Sequence, residues 1–213
     1  MSFQRGSDAL RELESKLRSE GYRYIACVDE VGRGCLAGDV VAAAVIMPED
    51  GFIEGVKDSK KLSPKKREQL YSEILKTAIG VGIGRIDADT IDEINIRQAT
   101  LMAMKMAVEN IVDREGSIIT PEYILVDAET IDTDIPQQAI IKGDATVYGI
   151  AAASIVGKVY RDRLCEEWGK LYPEYRFEKH KAYGTKEHRE LIQEHGASEI
   201  HRKSFLKKIL GVE

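Results

Sequence analysis

Acidic side chains stand at three places where the sequence predicts that strands end or a helix begins. Asp29 and Glu30 end one apolar run, Asp127 ends another, and Asp144 lies in a turn before a helix rich in small residues. Catalytic carboxylates in mixed α/β proteins tend to occupy such positions, where a rigid sheet fixes their geometry and solvent can reach them. We therefore predict that these four acids form one acidic cage.

A cage of oxygen ligands without histidine or cysteine selects hard cations such as Mg²⁺ or Mn²⁺. Two such ions ~3.5 to 4 Å apart can stabilise both the attacking water and the leaving oxygen in phosphoryl transfer, so no side-chain nucleophile is needed. Taken singly, the acids also have structural explanations, because Asp127 would suit a turn and Asp144 a helix cap. The case for catalysis depends on all four lying together.

The glycine-rich run after the first acids imposes a geometric condition. Asp29 and Glu30 are consecutive, and consecutive strand residues point to opposite faces of a sheet. We therefore expect the strand to bend or end there, with Gly32 and Gly34 supplying backbone freedom. The run from Gly32 to Gly38 matches neither the dinucleotide fingerprint nor a Walker phosphate loop, so its spacing alone assigns no ligand.

Basic residues are concentrated between positions 57 and 67, where the only acid is Asp58. The six members of this basic cluster are Lys57, Lys60, Lys61, Lys65, Lys66 and Arg67. Such a density suits the holding of phosphates, and it is also typical of a solvated helix start. Both interpretations stay open at this point.

Length and composition describe an ordinary globular domain. The 213 residues are 43% hydrophobic and 31% charged, which excludes disordered and collagen-like classes, and the net charge of -5 excludes polyanion binding through bulk charge alone. A polar amino terminus without a long apolar stretch predicts a cytoplasmic protein that does not enter membranes. The three cysteines lack metal-ligand spacing, so we expect reduced thiols.

Apolar periodicity predicts an α/β fold. Strands are predicted at 24–31, 40–47, 79–86, 123–127 and 139–141, and helices at 7–20, 64–77, 95–114 and 147–168. One helical stripe is assigned to the core, and its members are Ile94, Leu101, Met104, Val108 and Ile111. We predict an amino-terminal helical extension at 1–21, the main domain at 22–164 and a helical carboxyl-terminal lobe at 165–213.

Several motifs, in order, resemble the bacterial form of the ribonuclease HII family from about Tyr24 to Phe205. The first is the stretch from Asp29 to Gly38, which resembles the family's amino-terminal signature. The others are Asp58 to Ser63, Val126–Asp127, Lys142 to Asp144, Ala151 to Ile155, Arg161–Asp162 and Tyr183 to His188. Only about two dozen residues precede Tyr24, fewer than the amino-terminal domain of the sister family ribonuclease HIII needs, which favours HII.

The resemblance implies a ribonuclease H-like mixed β-sheet flanked by helices, with Asp29, Glu30, Asp127 and Asp144 as the metal-binding catalytic acids for two Mg²⁺ or Mn²⁺ ions. It implies cutting of RNA/DNA hybrids and of DNA duplexes containing ribonucleotides. The residues implied to grip the ribonucleotide are Gly32, Arg33 and Gly34, with Tyr183 packing on the sugar of the next nucleotide.

We add from the residues themselves that Lys142 and the lysines near Lys60 would hold backbone phosphates. We expect a monomer, and no sliding-clamp contact from Ser204 to Glu213.

The sequence departs from the family pattern at four positions. Asp39 stands where proline is common, Ala128 and Ala182 where glycine is common, and Gly157 where alanine is common. The two alanines would restrict the backbone locally, which bears on the placement of Tyr183.

Two other functions are considered. A catalytically silent nucleic-acid-binding module is opposed by the presence of all four acids. A nucleotide-binding protein using the glycine-rich run would need a helix after Gly34, and the apolar strand from Val40 argues against it.

Overall fold

The computed structural model describes residues 2–57 and 59–211, and it describes side chains at 10–57, 59–60 and 62–211. Asp58 and the side chain of Lys61, both part of the predicted motifs, lie outside the described residues. Within the described chain, no helix has the length and apolar character needed to cross a membrane.

In the described chain, five strands form one mixed sheet of order β3-β2-β1-β4-β5. The strands are β1 (Ile25–Val31), β2 (Val40–Ile46), β3 (Gly80–Ile86), β4 (Tyr123–Asp127) and β5 (Gln137–Ile140). β2 pairs antiparallel with both β1 and β3, whereas β4 pairs parallel with both β1 and β5. The predicted mixed sheet is confirmed, and it places β1 and β4, which carry three of the candidate acids, side by side.

Helices flank this sheet on both faces. Their bounds are α1 (Ser2–Ser19), α2 (Pro64–Thr77), α3 (Ala88–Ile94), α4 (Ile96–Glu109), α5 (Gly143–Thr146), α6 (Tyr148–Leu171), α7 (Phe177–His180), α8 (Lys186–His195) and α9 (Lys203–Leu210). Short 3₁₀ turns occur at Ser59–Lys61 and Pro173–Tyr175. The helix predicted at 95–114 is shorter than expected, because it ends at Glu109 and begins after Asn95, whose φ of 69° separates it from α3.

The two faces of the sheet bury alternate residues of the same strands. Ala26 and Val28 of β1 pack with Met104 and Val108 of α4, which confirms that the Met-bearing stripe belongs to the core. On the other face, Ala43 and Val45 of β2 pack with the small residues of α6 from Ala151 to Ala153. Small side chains let this helix approach the sheet closely.

A third buried cluster joins the carboxyl-terminal helices to the glycine-rich run. Cys35, Leu36 and Ala37 pack with Trp168 of α6 and with Phe177 of α7. The predicted lobe at 165–213 is helical, but α6 runs through its proposed boundary, from Tyr148 to Leu171. The division of the chain into 1–21, 22–164 and 165–213 stays a prediction.

Candidate active site

Three of the four predicted acids converge at one end of the β1–β4 pair. Ligand oxygens of Asp29, Glu30 and Asp127 all lie within 4.8 Å of one another. Asp29 is buried, with 7% of its surface exposed, and the other two are partly buried. The structure therefore brings three carboxylates from two neighbouring strands into a single cluster.

The first strand ends at Val31, one residue after Glu30, and Gly32 follows it with a φ of +93°, which agrees with the expected strand end near these acids. β1 continues to Val31 and stays paired with β2 through Glu30↔Ala42 and Val31↔Val41. Its parallel pairing with β4 ends at Val28↔Val126, one residue before the acids. The longer Glu30 side chain nevertheless places a ligand oxygen in the cluster, although regular alternation starts it on the opposite face from Asp29.

The fourth acid lies beside the cluster rather than in it. Asp144 is absent from the group whose oxygens share the 4.8 Å limit, and its Oδ2 is 3.4 Å from Nζ of Lys60. It follows Gly143, whose backbone N–H donates to Oδ1 of Asp127 at 2.6 Å. The turn at the start of α5 thus tethers Asp144 next to the cluster through Asp127.

Burial and mutual repulsion disfavour the charged forms of the clustered carboxylates. Burial raises the pKa of all three, and for Asp29 the charges of Glu30 and Asp127 raise that pKa further. Hydrogen bonds from Ser154 to Asp29 and from Gly143 to Asp127 lower these pKa values only in part. A divalent cation would relieve this repulsion, and an oxygen-only donor set suits a hard cation.

A family model described as ribonuclease HII matches residues 26–208, which include all four acids. The chain belongs to the ribonuclease HII family. Ribonuclease HII proteins of Alkaliphilus oremlandii and Alkaliphilus metalliredigens are 57% and 60% identical to it over 199 residues, in each case covering 93% of this chain and 98% of the relative. The protein is accordingly an endoribonuclease.

Solved structures agree with this assignment. The crystal structure of ribonuclease H2 from Pyrococcus horikoshii OT3 superimposes with a TM-score of 0.70 at 26% identity, covering 88% of this chain and 97% of that one. This similarity confirms the ribonuclease H-like fold that the sequence motifs predicted.

Three polar residues near the acids had no role assigned from the sequence, although two of them, Ser59 and Ser154, lie in the family motifs. Ser154 of α6 hydrogen-bonds Asp29, and its Oγ is 2.9 Å from Oγ of Ser59. Glu129 lies just beyond β4 and binds Arg33. Ser154 lies within the motif Ala151 to Ile155, and a hydroxyl among alanines was the available signal for its role.

The ribonuclease HII signature run connects β1 to β2 and brings Arg33 toward the acids. Nη1 of Arg33 lies 3.2 Å from Oε1 of Glu129 and 3.7 Å from Oε1 of Glu30. Gly32 has a φ of +93°, and a Cβ there would overlap the side chain of Arg161. At Gly34, in contrast, a Cβ would meet nothing within 4 Å, so the fold leaves this backbone open to a ligand.

Two fully buried arginines hold the backbone of this run. Arg202 donates from Nε to the carbonyl of Gly38 and from Nη1 to that of Arg33, both at 2.9 Å. Arg161 donates to the carbonyls of Ala37 and Asp39 at 3.2 and 3.0 Å. Arg161 belongs to one of the family motifs, but its sequence position did not predict this structural role.

Tyr183 lies beside the same run and is not a core tyrosine. It forms an isolated antiparallel bridge with Cys35, and 39% of its surface is exposed. Nζ of Lys158 lies 5.8 Å from the centroid of its ring. Lys142, the remaining predicted substrate contact, is exposed and adopts a left-handed conformation with φ of 58° ahead of α5.

The four departures from the family pattern have different structural consequences. Ala128 and Ala182 have φ values of 55° and 65°, a left-handed conformation that favours glycine. Asp39 forms an ion pair with Arg85 of β3 at 2.5 Å. Gly157 of α6 faces Ala43 and Val31 at ordinary contact distance, so the alanine common in the family would fit there.

Proposed function

We propose that this endoribonuclease hydrolyses the RNA strand of RNA/DNA hybrids and cuts on the 5′ side of single ribonucleotides embedded in duplex DNA. The expected products carry 3′-hydroxyl and 5′-phosphate ends. The observation that carries the proposal is the convergence of Asp29, Glu30 and Asp127 within 4.8 Å beside the exposed glycine-rich run. The alternative of a catalytically silent binding module is not favoured, since its relatives are named as ribonucleases.

The acids would hold two divalent ions, Mg²⁺ or Mn²⁺. Asp29, Glu30 and Asp127 provide the clustered oxygens, and Asp144 is near enough to contribute to raising the pKa of Asp127. When bound, the ions supply an activated water and stabilise the leaving oxygen. Lys60 already contacts Asp144, so binding of the ions or of a phosphate would change the partners of this exposed ammonium group.

Recognition would fall to the glycine-rich run and Tyr183. To distinguish RNA from DNA, a protein must bind the 2′-hydroxyl, which both donates and accepts a hydrogen bond. Gly34 leaves its backbone accessible, and the half-exposed guanidinium of Arg33 lies between this run and the acids. A site that leaves polar groups unpaired when the hydroxyl is missing loses ~1 to 3 kcal/mol for each group, so several contacts together give strong selectivity.

The remaining contacts would position the substrate. We assign Tyr183 to packing against the sugar of the following nucleotide, because its ring is exposed beside Cys35 of the glycine-rich run. Lys60 and Lys142, both exposed near Asp144, would bind backbone phosphates.

We also propose that the enzyme acts as a cytoplasmic monomer that takes part in removing misincorporated ribonucleotides. The cysteines Cys27, Cys35 and Cys165 are all free and buried, as expected for thiols kept in a reducing compartment. That residues from Ser204 onward contact no sliding clamp stays a prediction. Analytical ultracentrifugation of the protein alone tests the monomer.

The deciding experiment uses a labelled DNA duplex with one embedded ribonucleotide, in the presence of Mg²⁺ or Mn²⁺. We expect the wild type to cut 5′ of the ribonucleotide and Asp127→Asn to lose at least about 10³-fold in kcat. The exposed Asp134→Asn carries the same chemical change away from the cluster and should cut normally. Equal cutting by the wild type and Asp127→Asn would refute the assignment, and extension of the product by a DNA polymerase tests the 3′-hydroxyl end.

A further inference from the structure

A pair of fully buried histidines lies outside the acidic site, in the carboxyl-terminal part of the chain. His188 belongs to α8, and His201 precedes α9; neither has exposed surface. Their Nε2 atoms are 3.1 Å apart. A hydrogen bond between two imidazoles requires one nitrogen to carry a proton and the other to lack it, so this contact fixes a tautomer for each ring.

The partner of His201 assigns the first tautomer. The backbone N–H of Ser198 donates to Nδ1 of His201 at 2.9 Å, and Oγ of Ser198 lies 2.7 Å from the same nitrogen. A backbone N–H can only donate, so Nδ1 of His201 accepts. The neutral ring therefore carries its proton on Nε2 and donates to His188.

The partner of His188 assigns the second tautomer independently. Nδ1 of His188 lies 3.0 Å from the backbone carbonyl of Tyr183. A carbonyl oxygen only accepts, so Nδ1 of His188 carries the proton and its Nε2 accepts from His201. The hydrogen bonds at Ser198 and at Tyr183 therefore require the same direction of donation: Ser198 donates to His201, His201 to His188, and His188 to Tyr183.

The surroundings keep both rings neutral. Phe177 packs edge-on against His188 with ring centroids 5.5 Å apart, and Tyr175 lies 4.8 Å from His201. Burial lowers the pKa of His188 to about 4 and that of His201 to about 3, and the nearby His180 lowers both pKa values further, as His188 does for His201. A second proton on His188 would face the Nε2–H of His201, and a second proton on His201 would face the N–H of Ser198, so either would replace a hydrogen bond by a contact between two donors.

The segment that contains His201 is itself joined to the glycine-rich run. His201 forms an isolated bridge with Ala37, and Gly38 N–H donates to the carbonyl of Ile200 at 2.8 Å. The backbone of Leu36 donates to Ala182, the residue before Tyr183, at 2.9 Å. The histidine pair thus connects the glycine-rich run, through Ala37, to the backbone carbonyl of Tyr183.

We propose that His188 and His201 are positioning residues that hold Tyr183 in its place relative to the glycine-rich run through a directed chain of hydrogen bonds. The inference rests on the proposed role of Tyr183 in packing against the substrate. Neither histidine touches the acids, so the pair acts on substrate binding rather than on the chemical step.

The test compares two amides at position 188. Asn places a donor near the position of Nδ1 and can keep the bond to Tyr183, whereas Gln places its amide near Nε2 and loses that bond. We expect His188→Gln to raise KM for the embedded-ribonucleotide duplex about tenfold with kcat within about twofold, and His188→Asn to keep KM within about threefold of wild type. Equal KM values for the wild type and His188→Gln would overturn the inference.

A second measurement needs no variant and no substrate. Two-bond ¹H–¹⁵N correlation spectra of the wild type should show a proton on Nδ1 of His188 and on Nε2 of His201, and the opposite pair of tautomers would overturn the chain of donation. If His188→Gln does not fold, His201→Gln, which keeps a donor toward His188, is compared with His201→Leu, which does not. Raised KM in His201→Leu alone supports the proposal, and equal values in both contradict it.

Failure of this inference can be separated from failure of the proposed function. A wild type that does not cut the duplex in Mg²⁺ or Mn²⁺ removes the proposed function, whatever the spectra show. A wild type that cuts while all histidine variants share its KM removes only the positioning role.

Discussion

The acidic cluster and the glycine-rich run lie next to each other but are stabilised in opposite ways. The carboxylates of Asp29, Glu30 and Asp127 repel one another, and burial raises their pKa values. The run from Gly32 to Gly38 has backbone carbonyls bound by Arg161 and Arg202. The carboxylates assigned to chemistry would therefore be stabilised by a bound cation, whereas the backbone assigned to recognition is already held by buried hydrogen bonds.

The largest expected effect separates activity from stability at the cluster. Asp29→Asn should lower kcat by at least about 10³-fold while raising the free energy of unfolding of the metal-free protein by ~1 kcal/mol, because it removes a buried like charge. Urea unfolding in EDTA and single-turnover cleavage measure the two effects. Adding Mn²⁺ should raise the Tm of the wild type and not that of the variant. Destabilisation of the metal-free variant by several kcal/mol would contradict the comparison.

The opposite result is expected where the glycine-rich run is supported. Arg161→Met removes the guanidinium that donates to the carbonyls of Ala37, Asp39 and Lys181, the first two in buried hydrogen bonds, and should lower the free energy of unfolding by roughly 3 to 5 kcal/mol. Arg163→Met is the matched control, because Arg163 pairs with Glu68 at the surface and contributes ~0 to 1 kcal/mol. Urea unfolding at pH 7 measures the free energy of unfolding of both variants. A similar decrease in the two would show that the buried hydrogen bonds of Arg161 contribute no more than a surface ion pair.

Acid should weaken the recognition side through the buried histidines. The folded pKa of His188, about 4, lies below its ordinary value of 6.5, so the unfolded chain binds protons first as pH falls. The stability due to neutral burial is therefore complete above pH 6.5 and is lost as pH falls toward about 4. Between pH 7 and pH 5 we expect a loss of ~2 kcal/mol for each of the two histidines.

The acids with raised pKa values act in the opposite direction, because protonation is easier for them in the folded state. The wild type and His201→Gln keep the same carboxylates, so the difference between their pH dependences of stability excludes the contribution of the acids. Chemical unfolding at pH 7 and pH 5 measures the difference. An identical pH dependence in the two proteins would show that the histidines do not contribute.

The smallest effects concern α6, which packs behind both regions. A Cβ at Gly149 would overlap Cys27 of β1, whereas one at Gly157 would lie 3.6 Å from Ala43 and Val31. We expect Gly149→Ala to destabilise the protein by ~1 to 3 kcal/mol and Gly157→Ala to stabilise it by ~0.5 to 1 kcal/mol. Both variants replace a glycine of α6 by alanine, and thermal unfolding measures the difference in their stability. Changes of the same sign would contradict it.

Much of the fold follows from local patterns. β4 (Tyr123–Asp127) and α2 (Pro64–Thr77) were predicted with their observed bounds, because an apolar run ending in an acid and a Ser-Pro helix start are local signals. The end of α4 was not predicted, since apolar periodicity continues past Glu109 to Ile111, which is buried but lies beyond the helix. Periodicity reports burial, and burial does not require a helix.

The sequence by itself determined the mixed sheet, the family, and the four acids assigned to the site, because strand ends and ordered motifs are readable along the chain. Tertiary structure alone decided that Glu30 reaches the cluster while its backbone stays paired with β2, that Asp144 lies beside the cluster, and that Arg161 holds a carbonyl 122 positions away at Asp39. The physical reason is that hydrogen bonds and burial between distant segments depend on which elements pack together, and no spacing along the chain encodes that contact.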